Sequence, residues 1–201
     1  MNTDDTNPDV DSNATVGEAT AGSPSDTGIV SRMLRAAKLD SELYEEVEAD
    51  KSSLGQATAV VVLSSLAAGV GNFTNGGVGM LVVGTLAALG SWYIWAFLTY
   101  IIGTRLLPEP QTRADHKELL RTTGFSSAPG LIRVLGVIPG MTGIVYFIAS
   151  LWMLIAMVIS VRQALDYTGT GRALAVCAVG WVVQGAVIYV MLQAFALPEA
   201  A

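Results

Sequence analysis

The chain has one cysteine, Cys177, and one histidine, His116, in 201 residues. A lone thiol closes no intramolecular disulfide, and with a single imidazole it builds no zinc centre, so no metal site is expected. Cys177 sits in an apolar run and reads as a small packing residue. Charge is scarce too: 14% of the residues are Asp, Glu, Lys or Arg, against roughly a quarter in an ordinary soluble domain. No Asp or Glu falls within any of the long apolar runs, which removes the carboxylate at depth that proton-coupled transport or intramembrane hydrolysis generally needs. Ser64 and the other hydroxyls of those runs have no histidine or lysine at matching depth, so no activated nucleophile is assembled. The expectation is a protein without enzymatic activity and without a cofactor. With a formal charge of -6, no nucleic-acid partner is expected.

What the chain does have is apolar length. Hydrophobic residues make up 52%, the mean hydropathy is +0.51, and the apolar residues come in uninterrupted runs. This predicts an all-α, polytopic transmembrane helical bundle of about five spans. Residues 1–28, rich in Asp, Asn, Thr, Ser and Gly, have neither a basic start nor an apolar core; they read as a disordered acidic tail, not as a cleavable signal peptide. Residues 29–53 read as two short amphipathic cytoplasmic helices. The first places Val30, Met33, Leu34 and Ala37 on one face and Arg32, Arg35 and Lys38 on its flanks; it suits either the headgroups of an anionic leaflet or the cytoplasmic end of the bundle. Asp40 is positioned to cap the second, which turns Leu43 and Val47 inward and Glu42, Glu45, Glu46 and Glu48 to water.

Residues 54–197 form the membrane domain, with spans at about 54–72, 80–103, 127–138, 141–161 and 173–197. The first just crosses a hydrocarbon core of about 30 Å at 1.5 Å per residue. Between the second and third lies a polar loop, from Arg105 to Thr123, read as soluble and carrying His116. The third span is short, opens on Pro129 and contains Arg133. Charge placement argues that it crosses: with five passes, every Lys and Arg outside the spans falls on one side, while the connections at 72–77 and 139–140 carry none. A re-entrant third segment would put Arg162 and Arg172 outside, against the positive-inside bias. The predicted protein is a multi-pass cell-membrane protein, N-terminus cytoplasmic and C-terminus outside.

Arg133, the ionisable residue within an apolar segment, is the first candidate for function. Three readings are open: an anchor that snorkels to the cytoplasmic headgroups, a structural pair with a carboxylate from another element, or a substrate contact. Gln184 and Gln56 are polar intramembrane residues that suit interhelical hydrogen bonds of about 1 kcal/mol. The Gly169-Thr-Gly171 pair lacks the preceding strand and third glycine of a phosphate-binding loop and reads as a turn before the fifth span.

A set of short motifs follows in order: Arg121-Thr-Thr-Gly124-Phe-Ser-Ser-Ala128-Pro129, Ile138-Pro139-Gly140, Trp152, then Val161-Arg162-Gln-Ala-Leu165 and Gly171-Arg172-Ala173. Together with the stretch from Leu34 to Gln56 they resemble the Yip family of five-span membrane proteins, in its prokaryotic branch. The resemblance implies a helical bundle with a cytosolic N-terminal region. Eukaryotic relatives are associated with Rab GTPases, vesicle traffic and membrane shaping; their Asp-Leu-Tyr-Gly-Pro-type motif has no match in this tail, so a Rab partner is not carried over. The expected function is non-enzymatic organisation of membrane or partner proteins, with the lipid bilayer, a protein docking on residues 29–53 and a second copy of the chain as candidate partners. The alternative is a small transporter or channel with Arg133 and Gln184 along a polar path.

Overall fold

The computed structural model describes residues 28–196; the expected tail lies, but for Gly28, outside them. Among the described residues the chain is helical and has no strand. Two short helices, α1 (Ile29–Ala37) and α2 (Ser41–Ala49), precede the long α3 (Leu54–Gly71) and α4 (Phe73–Ile101). Leu39, in the left-handed region at φ 63°, reverses the chain between α1 and α2, and the Asp40 carboxylate accepts from the Glu42 amide at 3.0 Å, capping α2 as expected. Gly77, at φ 61° and ψ -168°, breaks the start of α4, a conformation that favours glycine. The helix then runs on and ends in a π-turn, Ile102–Leu106.

Part of the expected soluble loop is instead a buried helix. α5 (His116–Phe125) starts on a capping box, with Asp115 accepting from the Lys117 and Glu118 amides and Glu118 accepting from the Asp115 amide. Residues 119–125 are all buried. The polar ones tolerate this because their hydroxyls turn back to the helix: Thr122 donates to the Glu118 carbonyl at 3.0 Å and Ser126 to the Thr123 carbonyl at 2.7 Å. His116 is no solvated loop residue either. Its ring lies edge-on among Tyr93, Phe97 and Tyr100, with centroids 5.1, 5.8 and 6.5 Å away.

The short third span is a 3-10 helix, Ala128–Val137, with Pro129 in its first turn. Ten residues at about 2.0 Å each reach about 20 Å, some 5 Å further than the same residues in an α-helix but short of a bilayer core of about 30 Å. Its neighbours place it along the length of α3. Gly124 abuts Ala57, Gly130 abuts Ser64, and the Arg133 carbonyl lies against Gly71, so the end of α5 and the 3-10 segment follow α3 from its start to its last residue. A side chain at Gly130 would collide with Ser64 on one side and Met153 on the other, so the segment is wedged between α3 and α6 (Thr142–Ala164). The turn at Pro139-Gly140, with Gly140 at φ 82°, sends α6 back in the opposite direction, Tyr146 beside Gly71 and Met153 beside Gly130. α7 (Thr170–Ala196) then runs antiparallel to α4, Gly180 against Trp95 and Gln184 bonded to Ser91.

Five segments therefore run along the bundle, and four of them among the described residues are helices long and apolar enough to cross a membrane: Lys51–Gly71, Gly77–Leu106, Thr142–Ala164 and Thr170–Val190. The difference from five equal spans lies in the third pass, which is divided between α5 and the 3-10 helix. Both hydrophobic cores sit toward the end that carries α1 and α2, one built on Leu43, Tyr44, Val47, Val60 and Phe125, the other on Leu119, Leu120, Val161, Leu165 and Val176. Toward the opposite end the outer faces of α4 and α7 expose Val78, Met80, Val83, Val187 and Val190, surface that lipid rather than water solvates.

Candidate functional site: a mounted platform and a polar trough

At one end of the bundle α1 and α2 form a platform joined to it by buried arginines. Arg32 is 2% exposed. Its guanidinium pairs with Glu46 at 2.8 Å and Asp50 at 2.9 Å of α2, and donates to Gln56 Oε1 at 3.0 Å on α3. Arg35 pairs with Asp40 at 2.8 Å and Glu46 at 2.5 Å. From α5, the buried Arg121 donates to the Val47 carbonyl at 3.0 Å and to the Glu48 carbonyl, satisfying the open C-terminal carbonyls of α2 with a cation placed favourably for the helix dipole. The Trp152 indole N–H donates to the Ala37 carbonyl at 2.8 Å, and Gln163 Nε2 to Glu45 at 2.8 Å.

α1 thus packs on the bundle with its arginines turned inward, not held on the flanks as expected. Val30 and Leu34, 66% and 58% exposed, face outward, beside an apolar cleft of about 270 Å³ bounded by Pro129, Ile132 and Trp152. The carboxylates at and just after the end of α2 decide this: Glu46 and Asp50 hold Arg32 inward, leaving Val30 and Leu34 at the surface. Glu46 and Glu48, expected to face water, are both partly buried. Burial, followed by the negative charges of Asp166 and Glu118, pushes the Glu48 carboxyl up to about 7, with Arg121 pulling the other way.

Toward the opposite end a trough of about 480 Å³ opens between α3, α4, α6, α7 and the 3-10 segment, with Ser64, Ser91, Trp95, Met157, Arg133 and Gln184 among its walls. A second cavity of about 280 Å³ continues it toward Asn72 and Tyr146, and Arg133 and Ser65 border both. Arg133 and Gln184 are therefore brought together around one space. The Arg133 guanidinium lies 5.6 Å from the Tyr146 ring centroid and 3.4 Å from Ser150 Oγ; its Nε is buried without a hydrogen-bond partner. Among the described residues it makes no salt bridge, so the carboxylate-pair reading finds no support. Nor does its position beside the last residue of α3 suit an anchor on the platform side. Gln184 Nε2 donates to Ser91 Oγ at 2.6 Å, and its Oε1 is buried and unpartnered. Gln56 lies at the platform instead, bonded to Arg32.

The motif positions are structural contacts. Gly124 permits the close approach of α5 to α3, Pro129 and Pro139 bracket the 3-10 helix, and Trp152 holds α1. Arg162 Nε lies 3.4 Å from the Tyr167 carbonyl within the loop after α6, and Arg172 Nη1, 2.7 Å from the Pro108 carbonyl, ties that loop to the one after α4. Added bulk at Gly171 would meet nothing within 4 Å. Sequence reasoning did not single out Ser91 or Tyr146, and it named Arg32 as a flank residue and Arg121 as a motif residue without their burial; the available signal was the excess of α2 carboxylates over what one solvated face requires, which called for buried cations nearby.

Four helices of membrane-spanning length and apolarity among the described residues and an outer surface of exposed aliphatic residues define a polytopic integral membrane protein. The chain belongs to the Yip family: the family model of the Yip1 domain matches residues 41–192, from the start of α2 into the last turns of α7. α1 lies outside the matched stretch. No curated protein and no solved structure gives a significant match.

Proposed function

We propose that the protein is a non-enzymatic organiser of the cell membrane or of partner proteins, acting through the α1–α2 platform held at the cytoplasmic end of the bundle. The observation that carries the reading is the way the platform is mounted. Four separate attachments, through Arg32, Arg121, Trp152 and Gln163, fix two short helices that alone would be marginal in water. Such preorganisation has value for a docking surface, because a partner does not then have to order it. The exposed side of α2, with Glu42 and Glu45, offers negative charge to a basic partner. The orientation follows from charge: every Lys and Arg except Arg133 belongs to the platform end or its loops, and a bias of this kind marks the cytoplasmic side. The C-terminus is then outside.

A photocrosslinker placed at the exposed Ser41 in native membranes should capture one defined partner, and the charge reversal Glu42→Lys should abolish the capture while the protein remains folded. The trough favours a second reading, a small transporter with Arg133 and Gln184 on its path. Solute or ion flux through proteoliposomes that disappears in a folded Arg133→Leu variant would overturn the organiser reading in favour of the transporter.

A further inference from the structure

We infer that the trough between α3, α4 and α7 is a binding site for one anionic phospholipid, with the lipid phosphate on Arg133 and an acyl chain lying over the aromatic wall. Three observations carry this independently of the platform. First, Arg133 is a cation in an apolar segment without a carboxylate partner among the described residues, with Nε buried and unpaired. No Asp or Glu occurs in α3, α4, α6, α7 or the 3-10 segment, so these elements hold no residue able to supply the missing anion. A desolvated guanidinium recruits one, and a phosphate accepts it in the strong charge-assisted geometry.

Second, the space joins a cation to an apolar wall. Arg133 and Ser65 border both cavities, and beside them the larger one carries an apolar wall of Val61, Trp92, Trp95, Met153 and Met157 broken by Ser64 and Ser91. A cation beside an apolar and aromatic wall matches a lipid molecule and not a free anion, for which that wall has no use. Third, the trough adjoins the lipid-facing surface. Trp181 on its rim is 53% exposed, so a lipid enters sideways from the bilayer without crossing protein. The volume of about 480 Å³ falls in the ordinary range of about 300–1,000 Å³ for small-molecule sites.

The test is native mass spectrometry of the full chain purified in neutral detergent, with phosphatidylglycerol or phosphatidylcholine added in equal amounts. Wild type should retain one phosphatidylglycerol, and Arg133→Gln should lower its retention about tenfold or more, the equivalent of one charge-assisted hydrogen bond. Gly185→Leu is the second variant. Gly185 lines the trough, an added Cβ there meets nothing within 4 Å, and leucine favours the helix, so the substitution occupies the site without straining the fold. It should expel the lipid as Arg133→Gln does, while Lys38→Gln on the platform leaves retention unchanged. Equal retention of phosphatidylcholine, or undiminished phosphatidylglycerol in the Gly185→Leu variant, overturns the inference. Displacement of the lipid by millimolar inorganic phosphate overturns it as well, because the site would then be one for a free anion.

Discussion

Replacing Arg32 with methionine should release α1 from the bundle while leaving the bundle intact. The guanidinium side chain is 3% exposed, but its carboxylate partners Glu46 and Asp50 are 33% and 29% exposed. Removing one partner of a fully buried pair costs about 3–5 kcal/mol, and an exposed pair contributes at most about 1 kcal/mol. Here the stranded carboxylates can rehydrate and methionine refills most of the volume, so the loss is about 2 kcal/mol, between those limits. It falls on a local equilibrium, since Arg32 ties α1 to α2 and to Gln56 and touches nothing further along the bundle. A change of about 2 kcal/mol corresponds to roughly thirtyfold in the population of the open state. Hydrogen exchange read by mass spectrometry in micelles should show the α1 amides exchanging about thirtyfold faster, with α3 and α6 unchanged. Undiminished protection of α1, or a uniform loss across the bundle, would refute the assignment of Arg32 as the main attachment.

The Glu48 carboxyl, held near 7 in the fold against an ordinary value of 4.5, binds its proton more tightly folded than unfolded. Its stabilising contribution is therefore complete below about pH 4.5 and is lost as pH rises through about 7; thermal unfolding should show wild type losing stability over that window and Glu48→Gln losing less. Gly71→Ala should destabilise the bundle by about 1–3 kcal/mol, since the new methyl group collides with the Arg133 backbone carbonyl, while Gly84→Ala, with nothing within 4 Å of the added carbon, should be neutral or stabilising by up to about 1 kcal/mol; melting temperatures in micelles decide both. Trp152→Phe removes the donor to the Ala37 carbonyl and should loosen α1 by about 1 kcal/mol, read as exchange in α1 about fivefold faster.

The long apolar helices were legible because hydropathy alone identifies them: the spans at 54–72, 141–161 and 173–197 correspond to α3, α6 and α7 with shifts of a few residues at the ends. The turn after α3 was legible in its glycines, and Asp40 in its capping position. α5 was not, because its charges at Lys117 and Glu118 and its threonines resemble a solvated loop when counted by type. What buries it is each hydroxyl bonding back to its own helix, a property of geometry and not of composition. The same limit hid the inward turn of Arg32 and Arg35: helical periodicity gives two faces but does not say which one meets the bundle, and the deciding partners lie 14 and 18 residues away on α2. Arg133 was visible from its setting, and Gln184 from its polarity. That they share one trough depends on how α7 packs on α4, and no local pattern carries that.

Five passes require the ten-residue 3-10 helix and the end of α5 to carry the chain across together. In a Cys177→Ala background, single cysteines replacing Glu42, Gln111 and Gly140, all exposed positions, can be tested with a membrane-impermeant maleimide. Intact cells should label only the cysteine at position 140, and permeabilised cells should label those at 42 and 111 as well. Labelling of 111 and 140 from the same side would contradict the five-pass bundle.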